Sequence, residues 1–177
     1  MIATGKLRIW SGVVAVLLLG LDQVTKSVVL SLLRVEGATL QLPGPVDLTL
    51  MLNRSNAFGL VPISGEWSRW GLVGLNLTVA AALMVVLFRR PVLPLTAAGI
   101  AALVAGAVGN ALDRCWLGAV VDFIDASKIH FPWIFNIADV CVDLGIGLLV
   151  LSSVWSPAAR SAEPHGAGSR PVGPDPP

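Results

Sequence analysis

Apolar residues fall into four long stretches, separated by two polar segments and one short basic turn. The first stretch runs from Ile9 to Leu21, is interrupted by Asp22, Gln23 and Lys26, and resumes to Leu33. Its length of about 25 residues is enough to span a bilayer with some tilt. Lys6 and Arg8 ahead of it fit the start of a cleavable signal, but no small-x-small site closes the run, so it is predicted to be a retained helix. Trp70 to Phe88 predicts a second span, stopped by Arg89, Arg90 and Pro91. Leu93 to Leu112 predicts a third, rich in Ala and Gly, which lets helices approach closely in lipid. Asn136 to Trp155 predicts a fourth.

The fold expected is therefore an all-α membrane protein of four transmembrane helices, with a small β-containing extracytoplasmic segment between helices 1 and 2. That segment, 34–68, carries charges, prolines, glycines and short β-like runs at Ala38 to Leu42 and Val46 to Leu52. A second polar segment covers 113–135. Residues 1–156 read as one domain. Residues 157–177 hold half of the chain's 12 prolines and little apolar bulk, and read as a disordered cytoplasmic tail.

Composition agrees with this pattern: 55% of residues are hydrophobic and 13% charged, with a mean hydropathy of +0.78. A net charge of +1 and the lack of a basic run with interleaved aromatics argue against a nucleic-acid partner. Cys115 and Cys141 lack metal or disulfide spacing, and His130 and His165 are isolated, so no metal site and no cofactor is expected. Four spans place both termini on one side. Basic residues tie between the two sides, but Lys6, Arg8, Arg89 and Arg90 crowd the short flanks, which puts the termini in the cytoplasm. Trp67, Trp70, Trp116 and Trp133 then mark the outer interface, and Trp10 and Trp155 the inner one.

Against this apolar ground, ionisable residues in or beside a span mark a functional site by default, because their burial is costly. Asn110 and Arg114 are spaced to share a helix face, as are Asn136 and Asp139. Asp122 lies seventeen residues before Asp139, a separation of about 25 Å on one helix, so only tertiary folding joins them. Two adjoining carboxylates tend to share a proton. The ionised one can then activate water while the neutral one donates to a carbonyl, which is amide hydrolysis without a metal. The pair titrates as a unit. Arg114 or an Asn such as Asn53, Asn110 or Asn136 is placed to orient a scissile amide or stabilise an oxyanion.

Other polar residues have plainer readings. Asp22 and Lys26, four apart with the acid first, read as a structural ion pair within helix 1. Asp113 beside Arg114 reads either as a structural ion pair at a helix end or as a catalytic element. Asp125 and Lys128 read as a solvated loop pair, and Asp143, one turn beyond Asp139, as a hydrogen-bonding group within the bundle.

Five ordered motifs carry a further identification: DQVTK at 22–26, NRSNAFG at 53–59, AGAVGNALDR at 105–114, GAVVDFI at 118–124 and FNIAD at 135–139. In this order the chain resembles the lipoprotein signal peptidases (signal peptidase II), aspartyl endopeptidases of the bacterial inner membrane. Ser55 and Ala105 stand where those motifs usually carry glycine. The resemblance implies Asp122 and Asp139 as a catalytic dyad, with Asp22, Lys26, Asn53, Asn110, Arg114 and Asn136 as supporting polar residues. It implies as substrate a diacylglyceryl-modified prolipoprotein, cut before the lipidated cysteine, in a membrane whose lipid is the surrounding partner; a monomer is expected. The competing class is a small transporter or assembly factor, whose inward polar residues would extend across the full membrane depth. A different intramembrane aspartyl protease would instead cut unlipidated helices.

Overall fold

The computed structural model describes residues 4–54 and 65–155. Helix α1 spans Thr4–Leu33, α2 Glu66–Arg89, α3 Pro94–Leu117 and α4 Ile137–Trp155. All four are long and apolar enough to cross a membrane. The strands are β1 (Thr39–Leu40), β2 (Asp47–Asn53), β3 (Val120–Asp125) and β4 (Ile134–Phe135). The tail expected at 157–177 lies outside the described residues, as does the part of the NRSNAFG motif from Ser55 onward.

Helix α3 is the central element and packs against α1, α2 and α4. Its buried face is built mostly from Ala97, Gly99, Ala101, Ala102, Ala105, Gly106 and Gly109, so that backbones meet where side chains would otherwise intervene. A Cβ on Gly106 would run into the Ala138 carbonyl, and one on Gly145 would sit 2.8 Å from the Gly99 carbonyl. At one end of the bundle Leu87, Ala97 and Ile100 form a core to which Leu7 and Leu149 add. There Arg8 Nε donates to the Leu87 carbonyl at 3.0 Å, tying the start of α1 to the end of α2.

The other end carries the sheet, and here the structure departs from expectation. Both polar segments contribute strands, in the antiparallel order β1-β2-β3-β4, so the β structure is not confined to the segment between helices 1 and 2 and the fold is not purely α. The β-branched run at Val120, Val121 and Ile124 pairs with β2 rather than forming a loop. Val29, Leu50, Val121 and Phe123 make a second core beneath this sheet, seating it on α1. The strands in the first segment are Thr39–Leu40, a short part of the first apolar run, and Asp47–Asn53, as long as the second run but one residue later.

Helix α3 also continues past Leu112, the expected exit, as far as Leu117. Polarity marks where a span meets its partners or water, whereas a helix stops where its carbonyls are capped. The cap is Gly118 at φ 75°, a left-handed conformation suited to glycine, whose N–H reaches the Arg114 carbonyl at 3.2 Å. Arg69 of α2 completes it: Nε donates to the Arg114 carbonyl at 2.6 Å and Nη2 to the Cys115 carbonyl at 2.7 Å. A cationic side chain is favourable at that end of the helix dipole.

Candidate active site

The register of β2 against β3 places the first carboxylate. Asp47 pairs with Asp125 and Leu48 with Ile124, but the register then shifts, and Met51 rather than Leu50 lies opposite Asp122. The extra residue in β2 is a bulge, and it changes which face of β2 meets Asp122. Asn53, two residues beyond Met51, consequently shares the face of Asp122, and its Nδ2 donates to Asp122 Oδ2 at 3.0 Å. Val121 and Phe123 turn to the core on the other face.

The second carboxylate comes from the start of α4. Asn136 precedes the first helical residue and Asp139 is the third, the positions of a reciprocal capping box. Asn136 Oδ1 accepts the Asp139 N–H at 2.9 Å, and Asp139 Oδ2 accepts the Asn136 N–H at 3.2 Å. The amide of Asn136 then reaches across to β3, where Nδ2 donates to Asp122 Oδ1 at 2.6 Å. Asn136, at 0% exposure, is thus the link between the two aspartates. From α3, Asn110 Nδ2 donates to Asp139 Oδ1 at 2.9 Å, while its Oδ1 accepts from Lys26 Nζ at 3.2 Å and from Asn136 Nδ2 at 3.4 Å.

Asp122 and Asp139 therefore sit in one hydrogen-bonded assembly with Asn53, Asn110 and Asn136, drawn from β2, β3, α3 and α4. Arg114 lies within electrostatic reach of Asp139, Asp122 and Asp113, and its Nη1 donates to the Asn110 carbonyl at 3.2 Å. The Asp122 carboxyl, on β3, is raised from its ordinary 3.8 to about 6. Burial is the main cause and the charge of Asp139 the second, opposed by the hydrogen bonds from Asn53 and Asn136. One carboxyl of this assembly is accordingly able to hold a proton near neutral pH beside a second carboxyl group.

The remaining polar residues are placed as follows. Asp22 and Lys26 do pair, at 2.9 Å. Asp113 binds Lys26 at 2.8 Å, so its ion-pair partner is not the neighbouring Arg114: both residues lie on a continuing helix, where consecutive side chains diverge. Lys128 pairs with Asp47 at 2.6 Å rather than with Asp125, because β2 brings Asp47 alongside, and its hydrogen bond holds Asp47 below the usual carboxylate range. Asp125 is instead engaged by Thr49 Oγ1 at 2.8 Å and Ser127 N at 3.0 Å. Asp143 is exposed, with no hydrogen bond or ion pair among the described residues: α4 buries Ala138, Cys141, Gly145 and Ser152, and Asp143 points away from that stripe. The parts played by Asp113, Gln23 and Arg69 are new from the structure. The signal available for Gln23 was its place among polar residues that interrupt the first apolar stretch, whereas Asp113 was read only against its neighbour Arg114.

Trp67, Trp70, Trp116 and Trp133 lie exposed at the sheet end, and Trp10 and Trp155 are exposed at the other.

Residues 14–155 match the family model described as Signal peptidase (SPase) II. A lipoprotein signal peptidase of Caulobacter vibrioides is 46% identical over 138 residues, covering 77% of this chain and 81% of its own. One from Azoarcus sp. is 34% identical over 160 residues, covering 90% and 89%. Among solved structures, a bacterial membrane enzyme determined by the in meso method at 2.3 Å superposes with a TM-score of 0.72 at 26% identity, covering 90% of this chain and 94% of that one. With four helices of spanning length and kinship of this extent, this multi-pass membrane protein belongs to the signal peptidase II family.

Proposed function

We propose that this chain is an aspartyl endopeptidase that removes the signal peptide from diacylglyceryl-modified prolipoproteins, cutting before the lipidated cysteine. The observation that carries the reading is the joining of Asp122 and Asp139 through Asn136, with one carboxyl held near neutrality. The pair shares one proton. The ionised carboxylate takes a proton from water as its oxygen attacks the scissile carbonyl, and the neutral carboxyl donates to the carbonyl oxygen. As the tetrahedral intermediate collapses and the C–N bond breaks, the carboxyl that took water's proton gives it to the leaving nitrogen and a hydroxyl of the intermediate returns its proton to the other carboxylate, which restores the single-proton pair. Arg114 and the surrounding Asn amides orient the peptide and offset developing negative charge.

The sheet end of the bundle is the extracytoplasmic end in this reading, with the termini in the cytoplasm. A lipidated substrate is held in the bilayer, so a site at the membrane surface between helices meets acyl chains and peptide together. The part of the first polar segment that the structure describes up to β2, residues 34–54, lies over the peptide in this reading. Clustering of the polar groups at one end favours this over a conduction path, which needs them across the full depth.

The test is cleavage of a purified diacylglyceryl-modified prolipoprotein by the wild-type chain and by Asp122→Asn and Asp139→Asn, with an unlipidated control. Cleavage before the modified cysteine, lost in both variants, is expected. An intact lipidated substrate with folded wild-type protein would overturn the reading.

A further inference from the structure

Behind the assembly of aspartates lies a second charged group that touches neither of them. Lys26 Nζ sits 2.9 Å from Asp22 Oδ2 and 2.8 Å from Asp113 Oδ2. The three residues are 1%, 2% and 3% exposed for Asp22, Lys26 and Asp113. Gln23 Nε2 spans the same two carboxylates, at 3.1 Å from Asp22 Oδ2 and 3.0 Å from Asp113 Oδ1. A Cβ on Gly109 would fall 2.6 Å from Asp22 Oδ2, so that glycine is what allows α3 to close over the cluster.

Each carboxylate also captures one backbone amide. Asp22 Oδ1 accepts the Ala138 N–H at 2.8 Å, and Asp113 Oδ2 accepts the Val121 N–H at 3.1 Å. Ala138 immediately precedes Asp139, and Val121 immediately precedes Asp122. The two arms of the cluster therefore grip the chain one residue ahead of each member of the pair. Lys26 has a third arm: it donates to Asn110 Oδ1, which fixes the amide so that Nδ2 faces Asp139.

We propose that Lys26, with Asp22 and Asp113 as its two carboxylate arms, is a positioning device that sets the separation and orientation of Asp122 and Asp139 through the Val121 and Ala138 amides. A buried ion cluster contributes little net stability compared with apolar packing, so its use here lies in direction rather than in strength. Asp22 and Lys26 project from α1 and Asp113 from α3, whereas the amides they hold belong to β3 and α4. The cluster thus registers four elements against one cation. This inference rests on reading Asp122 and Asp139 as the reacting pair.

The experiment compares wild type, Asp22→Asn, Asp113→Asn and Lys26→Met in lipid nanodiscs. It reads kcat and KM on the lipidated substrate and the amide hydrogen exchange of Val121 and Ala138. A carboxamide has one oxygen to serve several donors, so each Asn variant loosens its own arm. Expected are faster exchange at Ala138 in Asp22→Asn, at Val121 in Asp113→Asn and at both in Lys26→Met. With them kcat falls about 10- to 100-fold while KM holds, because misplacing reacting groups by about 1 Å costs on this order. Unchanged kcat in the folded Asn variants, or exchange that rises uniformly across the protein, would overturn the proposal. If Lys26→Met does not fold, the two single-arm variants decide it. Wild type that leaves the substrate intact would overturn the peptidase reading instead, and the selective exchange pattern would still test the clamp.

Discussion

Asn136 and Asp139 cap each other across the first turn of α4, and the same Asn136 amide holds Asp122 at 2.6 Å. Starting a helix and joining two carboxylates are thus one interaction, and the two roles are separable by substitution. Asn136→Ala is expected to lose the cap, at about 0.5–2 kcal/mol, and to lose cleavage. Asn136→Ser restores a cap acceptor but is too short to reach β3. Thermal denaturation should place the Ser variant above Ala but below wild type, since the buried bond to Asp122 is still lost, while its cleavage rate stays as low as that of Ala.

The Asp122 carboxyl, raised to about 6, sets a pH dependence. A carboxyl whose pKa is higher folded than unfolded stabilises the fold below its ordinary 3.8, and that contribution is lost as pH rises through about 6. Thermal stability should therefore decline between these limits in wild type and less so in Asp122→Asn. Carbon-13 spectra of labelled aspartate should show Asp122 titrating near 6. They should show it lower in Asp139→Asn, where the neighbouring charge is gone but burial remains.

Gly106 permits the α3–α4 contact at the level of the site. Its substitution by Ala would press on the Ala138 carbonyl and on Val142 Cγ2, and overpacking of this kind costs about 1–3 kcal/mol. Because Ala138 adjoins Asp139, cleavage should fall along with the denaturation midpoint. Gly147→Ala, with nothing within 4 Å of the added carbon, is the control and should change neither.

Asp143 is exposed one turn below Asp139 and stands outside the hydrogen-bonded assembly. Asp143→Asn should leave kcat and KM as they are, and should make insertion of α4 into lipid more favourable by removing an ionisable group. Loss of cleavage in a folded Asp143→Asn protein would show that α4 engages substrate through this residue.

The four spans were legible because lipid demands long apolar runs, and the tryptophans fall at the ends that such runs imply. Asn110, Asn136 and Asp139 were legible as polar residues in or at the edge of apolar spans, and Asp122 and Asn53 through the ordered motifs that carry them, and the structure brings the five together. The sheet was not legible in full. Val120 to Asp125 pairs with residues some seventy positions earlier, and the bulge that turns Asn53 toward Asp122 exists only in that pairing. The partners of Lys26 were hidden for a similar reason: sequence spacing exposes Asp22 on the same helix but not Asp113, which reaches it across the α1–α3 contact.

The groups of the site are strung along the chain in the order Asn53, Asn110, Asp122, Asn136, Asp139, and the last two arrive with α4. A chain that ends before Asn136 lacks both the amide that holds Asp122 and the second carboxylate of the proposed pair. On the proposed reading the site is complete only once the final helix is in place, so finishing the polypeptide would serve as the switch that a removable propeptide provides elsewhere.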